Sequence, residues 1–255
     1  VNFRHSDLSS VTRHHNYKEY LKRKKNVGNH TIPKLIKKKK PILHLTTHDL
    51  LNYSSILIDA LAPRLTYVEL IRHPIDMVNQ QIYIMRDHYK NPRSIQIEFE
   101  YQKKPLPYWS SSWKKKFLKL NNVNRAIYNI LNMYNDNVKN RKKLKRLLKD
   151  NYICIPFEKF TNDPIPFLKK ISKSLKSKIT RTTLKEMNNQ KIPRKNFFNT
   201  PQTEIYKRVG GSLKDIADRE KDIERKIAIF KKNGATKKYL DLLKKISKDY
   251  EKKYF

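Results

Sequence analysis

Short apolar runs alternate along this chain with longer stretches in which apolar residues recur at helical spacing. The short runs at 42–45, 66–71 and 152–155 are rich in β-branched, aromatic and leucine side chains, which favours buried strands. The helical stretches are 49–61, 114–149, 163–175, 214–231 and 236–253. This alternation predicts an α/β fold in which the three strands lie in one parallel β-sheet flanked by helices.

The strand predicted at 66–71 leads directly into a further helix. Pro74 suits the first helical turn, and apolar residues continue at helical spacing from Ile75 to Met85. Arg72 therefore lies at a strand-to-helix junction, which is where open α/β sheets bind ligands.

The stretch at about 90–115 is rich in Pro, Trp and Tyr, and it is interpreted as an insertion or lid within a single domain covering 1–255. Trp109 and Trp113 lie beside the basic run Lys114 to Lys116. Such an aromatic and basic patch has two interpretations. In the first it binds a ligand, by stacking sugars or binding polyanions; in the second it packs as a lid whose lysines are solvated.

The chain is strongly basic: Lys and Arg number 58 against 23 Asp and Glu, for a formal net charge of +35. Such a surface attracts nucleic acid, anionic lipid, acidic glycans or a phosphorylated cofactor. Lys, Asn and Ile all have A/T-rich codons, so genome composition explains the excess equally well. A nucleic-acid- or polyanion-binding protein without catalysis is therefore the alternative function, although no standard nucleic-acid motif is present.

The cysteine and histidine residues limit which disulfides and metal sites the chain can form. Cys154 is the single cysteine, which excludes an intrachain disulfide and a cysteine-rich metal site. It lies mid-strand in an apolar run, so we expect a buried thiol that alkylates slowly. His14 and His15 diverge as sequence neighbours, so no metal site is predicted. No apolar run reaches 18 residues, so no membrane-spanning segment is predicted.

The segment 67–76 carries the most specific chemistry in the chain. Its strand delivers Arg72 to the edge of the sheet, and the guanidinium offers a planar fork for a phosphate. The helix that begins at Pro74 adds backbone N–H donors and the positive end of its dipole. The alternative is an exposed arginine that pairs with Asp76.

This segment resembles the 3′-phosphate-binding motif of sulfotransferases, a strand followed by Arg-x-Pro and a helix. Residues 153–160, followed by Asp163 and Pro164, resemble the late strand of that family, its aromatic-Glu turn and its Asp-Pro helix start. Residues 206–212 are similar to the family's C-terminal Arg-x-Gly loop, which closes over the nucleotide. The resemblance covers roughly residues 40–230 and implies the P-loop NTPase-like sulfotransferase fold.

The resemblance implies that a sulfuryl group moves from the co-substrate 3′-phosphoadenosine 5′-phosphosulfate (PAPS) to a hydroxyl or amine acceptor, with carbohydrates among the candidates. It places Arg72 and Arg208 at the 3′-phosphate, with Gln80 and Gly210 also at the nucleotide. It implies no metal and no specific nucleic acid. It leaves the compartment open between a bacterial cytoplasm and a eukaryotic Golgi lumen.

The resemblance also implies a catalytic base after the strand at 42–45, where some family members carry a histidine that takes the acceptor's proton. The spacing to Arg72 favours His48, with His44 second. A structural or surface histidine is the alternative for both.

Two departures from the family pattern matter. The family has a Ser eight residues after the arginine, where this chain has the longer Gln80. The family's N-terminal loop, of the form Pro-Lys-x-Gly-Thr-Thr, has no counterpart here, since none of the four glycines lies in such a loop. We therefore expect a fragment that lacks the first strand and the phosphosulfate loop and is inactive as it stands.

Overall fold

The computed structural model of the chain describes residues 32–40, 42–45, 51, 54–87, 98–189, 192–194 and 218–255. The chain divides into two compact units. The small unit is made of 1–47 with 92–95, and the large unit of 48–91 with 96–255. In the small unit the described helix is α1 (Ile32–Lys39).

The large unit is mostly helical and contains a small parallel sheet flanked by helices, so the α/β class is confirmed at this level. Its described helices are α2 (Ser55–Leu61), α3 (Pro74–Asp87), α4 (Lys114–Lys119), α5 (Asn122–Leu148), α6 (Phe157–Asn162), α7 (Ile165–Ser174), α8 (Arg181–Asn189), α9 (Arg219–Lys232) and α10 (Lys237–Tyr254). Its described strands are β1 (Tyr67–Ile71), β2 (Glu98–Tyr101), β3 (Lys104–Pro107) and β4 (Tyr152–Pro156).

The parallel sheet consists of β1 and β4, in a register that pairs Ile71 with Pro156. The prediction that these two strands share one parallel sheet is confirmed. The prediction of a third strand is wrong, because residues 42–45 do not form a strand and their side chains are exposed. A four-residue apolar run carries no period, so it does not distinguish a buried strand from an exposed connection.

The main core lies between helices. The helix predicted from Pro74 is confirmed as α3, whose Ile75 and Val78 are buried against α5. The two predicted C-terminal helices complete this core, with Phe230 on α9 and Leu243 on α10 shielded from solvent. The N-terminal half of α5 contributes Val123, Ile127, Ile130 and Leu131. Apolar periodicity therefore predicted the elements that build this core.

The turn between α9 and α10 docks onto the start of α5. Asn121 caps α5 by accepting a hydrogen bond from the Asn124 N–H at 3.0 Å. The side-chain amides of both residues donate to the Gly234 carbonyl, at 2.9 and 3.2 Å. Gly234 has a φ of 86°, and a Cβ there would lie 2.9 Å from Asn121 Nδ2, so this close approach requires glycine.

The stretch at 90–115 is more regular than predicted over its described part. β2 and β3 pair antiparallel through a turn at Gln102 and Lys103. The φ angles of Gln102 and Lys103, 52° and 57°, are those of a type I′ turn. The turn lacks the Asn-Gly or Asp-Gly signature, so the sequence pattern carried no hairpin signal.

The aromatic patch beside this hairpin is packed. Trp113 is buried, with ring centroids 5.9 Å from Trp109 and 4.9 Å from Tyr128. Lys114 lies over the Tyr101 ring, with its Nζ 4.9 Å from the centroid. These contacts favour the packed alternative over an open sugar-stacking platform.

One face of the parallel sheet carries a polar cluster. Glu69 on β1 accepts a bidentate pair of hydrogen bonds from Arg141 on α5, from Nη2 to Oε1 at 2.7 Å and from Nε to Oε2 at 2.9 Å. The Tyr152 hydroxyl donates to the same carboxylate. Cys154 pairs with Glu69 in the register and is half-buried, so the prediction of a buried thiol is corrected. Its strand pattern placed it on the face that carries Glu69 and not on the apolar face.

A buried ion network joins the first turn of α3 to α9. Asp76 accepts two hydrogen bonds from Arg219, both at 3.0 Å, and one from Lys226 at 2.7 Å. Asp222 contacts the same two cations from α9. Burial acts to raise the pKa of Asp76, but attraction and hydrogen bonds from Lys226 and Arg219 outweigh it and lower the pKa to about 2. The network therefore stabilises the docking of α9.

Replacing Asp76 by Asn should destabilise the fold by about 3 kcal/mol near pH 7, because the change leaves two largely buried cations short of an anion. The folded-state pKa of Asp76 lies below the unfolded value of about 4. Its contribution is therefore complete above about pH 4 and is lost as the pH falls towards 2. Urea unfolding from about pH 7 to about pH 3 measures the difference between wild type and Asp76→Asn, which should narrow as the pH falls.

The matched control is Asp241→Asn, which removes an exposed carboxylate from α10. It should change the free energy of unfolding by no more than about 0.5 kcal/mol. An equal loss in both variants would attribute the effect to net charge and contradict the role of the network.

Cys154 should alkylate slowly in the folded chain. Burial, followed by the charge of Glu69, raises the pKa of the thiol, so little thiolate is present at neutral pH. At about pH 8, iodoacetamide should react at least about tenfold more slowly with the folded chain than with the chain in denaturant. Equal rates in the two states would contradict the protection.

Candidate functional site

The carboxyl ends of β1 and β4 place Arg72 beside Phe157. Because Ile71 and Pro156 are paired at the ends of parallel strands, the residues that follow them emerge at the same edge. The Arg72 guanidinium carbon lies 5.0 Å from the centre of the Phe157 ring. Arg72 Nε is buried and has no hydrogen-bond partner among the described residues. A guanidinium that is stacked and has an unused donor is suited to binding an anion.

Arg194 brings a second cation to the same ring. Its guanidinium carbon lies 5.9 Å from the Phe157 centroid. The Arg194 backbone N–H donates to the Thr161 carbonyl at 2.8 Å, which fixes residues 192–194 against the end of α6. Arg72 and Arg194 therefore place two half-buried guanidinium groups at one aromatic ring.

A buried carboxylate ties this edge together. Glu158 on α6 is 1% exposed. Its Oε1 accepts the backbone N–H of His73 at 2.7 Å, and its Oε2 accepts the hydroxyl of Tyr250 at 2.5 Å. Burial, followed by the charge and hydrogen bond of Glu158, raises the pKa of Tyr250 far above its usual range, so the hydroxyl remains a donor. Both donors are needed because a buried carboxylate is costly without them.

His73 links the same loop to the C-terminal helix. Its buried ring packs edge-on against Tyr250, with centroids 5.4 Å apart. His73 Nε2 lies 3.0 Å from Glu251 Oε1, and Nδ1 is buried without a hydrogen-bond partner among the described residues. The residue next to Arg72 is therefore held by α10 from one side and by α6 from the other.

The structure brings the two motif segments around Arg72 and Glu158 into direct contact. The alternative that Arg72 pairs with Asp76 is wrong, because Asp76 is held by Arg219 and Lys226. That the N–H groups at the start of α3 bind a phosphate stays a prediction. The loop N–H just before that helix, that of His73, is donated to a carboxylate of the chain itself.

Of the other predicted site residues, Gln80 and His44 are among the described ones. Gln80 lies on α3 with an exposed side chain, and the described residues show no hydrogen bond or ion pair between it and Arg72. His48, Arg208 and Gly210 lie outside the described residues. His44 is described in the small unit, and its side chain is exposed. Among the residues described, no group of side chains is arranged to hold a metal ion.

Sequence reasoning missed Arg194 and Tyr250. Arg194 follows Pro193 in a loop-like stretch with no periodicity, so nothing marked it. Tyr250 lies within the predicted last helix, but its hydroxyl partner lies 92 residues away in the chain, so no local pattern marked it. The Phe157-Glu158 pair did carry a signal, as an aromatic-Glu turn after a strand.

Comparisons with known proteins do not place the chain in a family. No family model matches it, no curated protein is significantly similar to it, and no solved structure matches its fold. None of the described helices is both long and apolar enough to cross a bilayer. The arrangement of Arg72, Arg194 and Phe157 is therefore the feature that bears on function.

Tyr250→Phe should lower the free energy of unfolding by about 1–3 kcal/mol, because the Glu158 carboxylate loses one of its two donors while it stays buried. Tyr239→Phe is the matched control, since Tyr239 is a buried tyrosine on the same helix with no hydroxyl hydrogen bond among the described residues. Urea unfolding measures both variants. Similar small effects would show that Glu158 does not depend on Tyr250.

Proposed function

We propose that this chain binds the 3′-phosphate of an adenosine nucleotide through Arg72, and that it acts in sulfuryl transfer from PAPS to a hydroxyl or amine acceptor. The observation that carries the proposal is the stacked guanidinium of Arg72 at the carboxyl end of β1, with its buried Nε lacking a partner among the described residues. Arg is the side chain best suited to a phosphate, because its planar fork donates two parallel hydrogen bonds.

The charges around Arg72 support an anionic ligand. Two acidic residues of the neighbouring segments are already engaged, Glu158 by backbone and hydroxyl donors and Asp76 by the cations of α9. Neither forms an ion pair with Arg72. Arg194 adds a second positive group at the same ring.

The proposed roles follow the resemblance residue by residue. When bound, PAPS would supply the sulfuryl group. Arg72 binds and orients the 3′-phosphate, with Arg208 and Gln80 as further donors and Gly210 allowing the backbone to approach the nucleotide closely. His48 takes the proton of the acceptor's hydroxyl or amine, with His44 as the second candidate.

The test is the binding of adenosine 3′,5′-bisphosphate against adenosine 5′-monophosphate, measured by calorimetry. Wild type should prefer the bisphosphate, and Arg72→Ala should weaken its binding by about 10–100-fold while changing monophosphate binding little. Arg64→Ala is the matched control, because Arg64 is an exposed arginine just before the opposite end of the same strand. It should leave the preference unchanged.

An equal loss for both nucleotides in Arg72→Ala would show that the arginine is structural and would overturn the assignment. The same titrations, repeated at higher salt, distinguish the proposal from the alternative of a polyanion-binding protein. That alternative predicts a steep salt dependence of binding and no preference for the 3′-phosphate.

A further inference from the structure

The small unit presents an unusual surface over residues 34–45. Five lysines, Lys34 and Lys37–Lys40, are all exposed in this stretch. Five large apolar side chains are exposed among them: Leu35, Ile36, Ile42, Leu43 and Leu45. The most exposed are Leu43 at 79% and Ile42 at 57%. The segment 32–45 contains no acidic residue.

The geometry of α1 places most of its lysines opposite its apolar side chains. Leu35 and Ile36 lie on one side of the helix with Lys39 between them, while Lys34, Lys37 and Lys38 lie on the opposite side. Lys40 ends the helix with a φ of 44°, and its N–H closes the last turn on the Ile36 carbonyl at 2.8 Å. Residues 42–45, which are described without helix or strand, add further exposed apolar groups.

We propose that residues 34–40 and 42–45 form a peripheral membrane-binding surface that recognises an anionic lipid bilayer. A bilayer interface accepts both halves of this surface, since lipid phosphates and carboxylates attract lysines while the acyl boundary takes up apolar side chains. Long lysine side chains reach the headgroups even when their stems lie beside apolar residues. The proposal is independent of the nucleotide site.

The charge of this surface favours an anionic bilayer over a second copy of the chain, and its apolar side chains favour a bilayer over a nucleic acid. A second copy of the same segment would bring five lysines against five lysines, with no carboxylate in the segment to neutralise them. A nucleic acid would pair with the lysines but would leave the exposed leucine and isoleucine side chains in water. The anionic bilayer is complementary to the lysines and to the apolar side chains together.

The test is co-sedimentation of the full chain with vesicles of phosphatidylcholine containing about 30% phosphatidylserine, at low salt and at about 0.5 M salt. Wild type should bind at low salt and keep part of its binding at high salt, because the apolar contribution is not screened. Ile42→Ser/Leu43→Ser should lose the salt-resistant part. Leu147→Ser/Leu184→Ser, at exposed leucines on α5 and α8, should keep it.

Charge reversal provides the second arm. Lys37→Glu/Lys38→Glu should weaken vesicle partition at least about tenfold more than Lys244→Glu/Lys245→Glu, an adjacent exposed pair on α10 with the same change in net charge. Circular dichroism checks that all four variants remain folded.

Three results would overturn the proposal. Equal behaviour of each variant and its control would assign binding to net charge alone. A loss of self-association in Ile42→Ser/Leu43→Ser, seen by sedimentation without vesicles, would assign the surface to a second copy. Parallel losses of heparin binding and vesicle binding in that apolar variant would assign it to a polyanion.

Discussion

The loop that carries Arg72 depends on one buried carboxylate. Glu158 follows β4, yet it accepts the backbone N–H of His73, which follows β1, and the hydroxyl of Tyr250 on the last helix. Three distant parts of the chain therefore meet at two oxygen atoms. Since an ionised group away from water is stable only with its donors in place, this contact constrains all three parts at once.

That constraint has a consequence for the charge distribution at the sheet edge. Glu158 and Asp76 bind other partners within the fold, so they do not form an ion pair with Arg72. Arg72 instead lies over Phe157, an uncharged ring that attracts a guanidinium by a cation–π interaction. The Arg72 guanidinium is thus held by a ring where the two parallel strands end.

The helical core explains how such a small sheet keeps a defined geometry. Only β1 and β4 pair in the parallel sheet among the described residues, and two strands alone are marginally stable. α3 and α10 pack on the long α5, and the Arg141–Glu69 pair fastens α5 to the middle of β1. The strands are therefore held in place by the helices around them.

The sequence by itself determined the elements whose period lies within one segment: the strands β1 and β4, the helices α3, α5, α9 and α10, and the position of Arg72 at a strand end. Amphipathic periodicity is a local property, so reading it requires no knowledge of neighbours. Only the tertiary structure decided that Phe157, and not Asp76, is the partner of Arg72, and that the apolar run at 42–45 is exposed. Both outcomes depend on what a distant part of the chain places beside a residue, and local pattern carries no information about that.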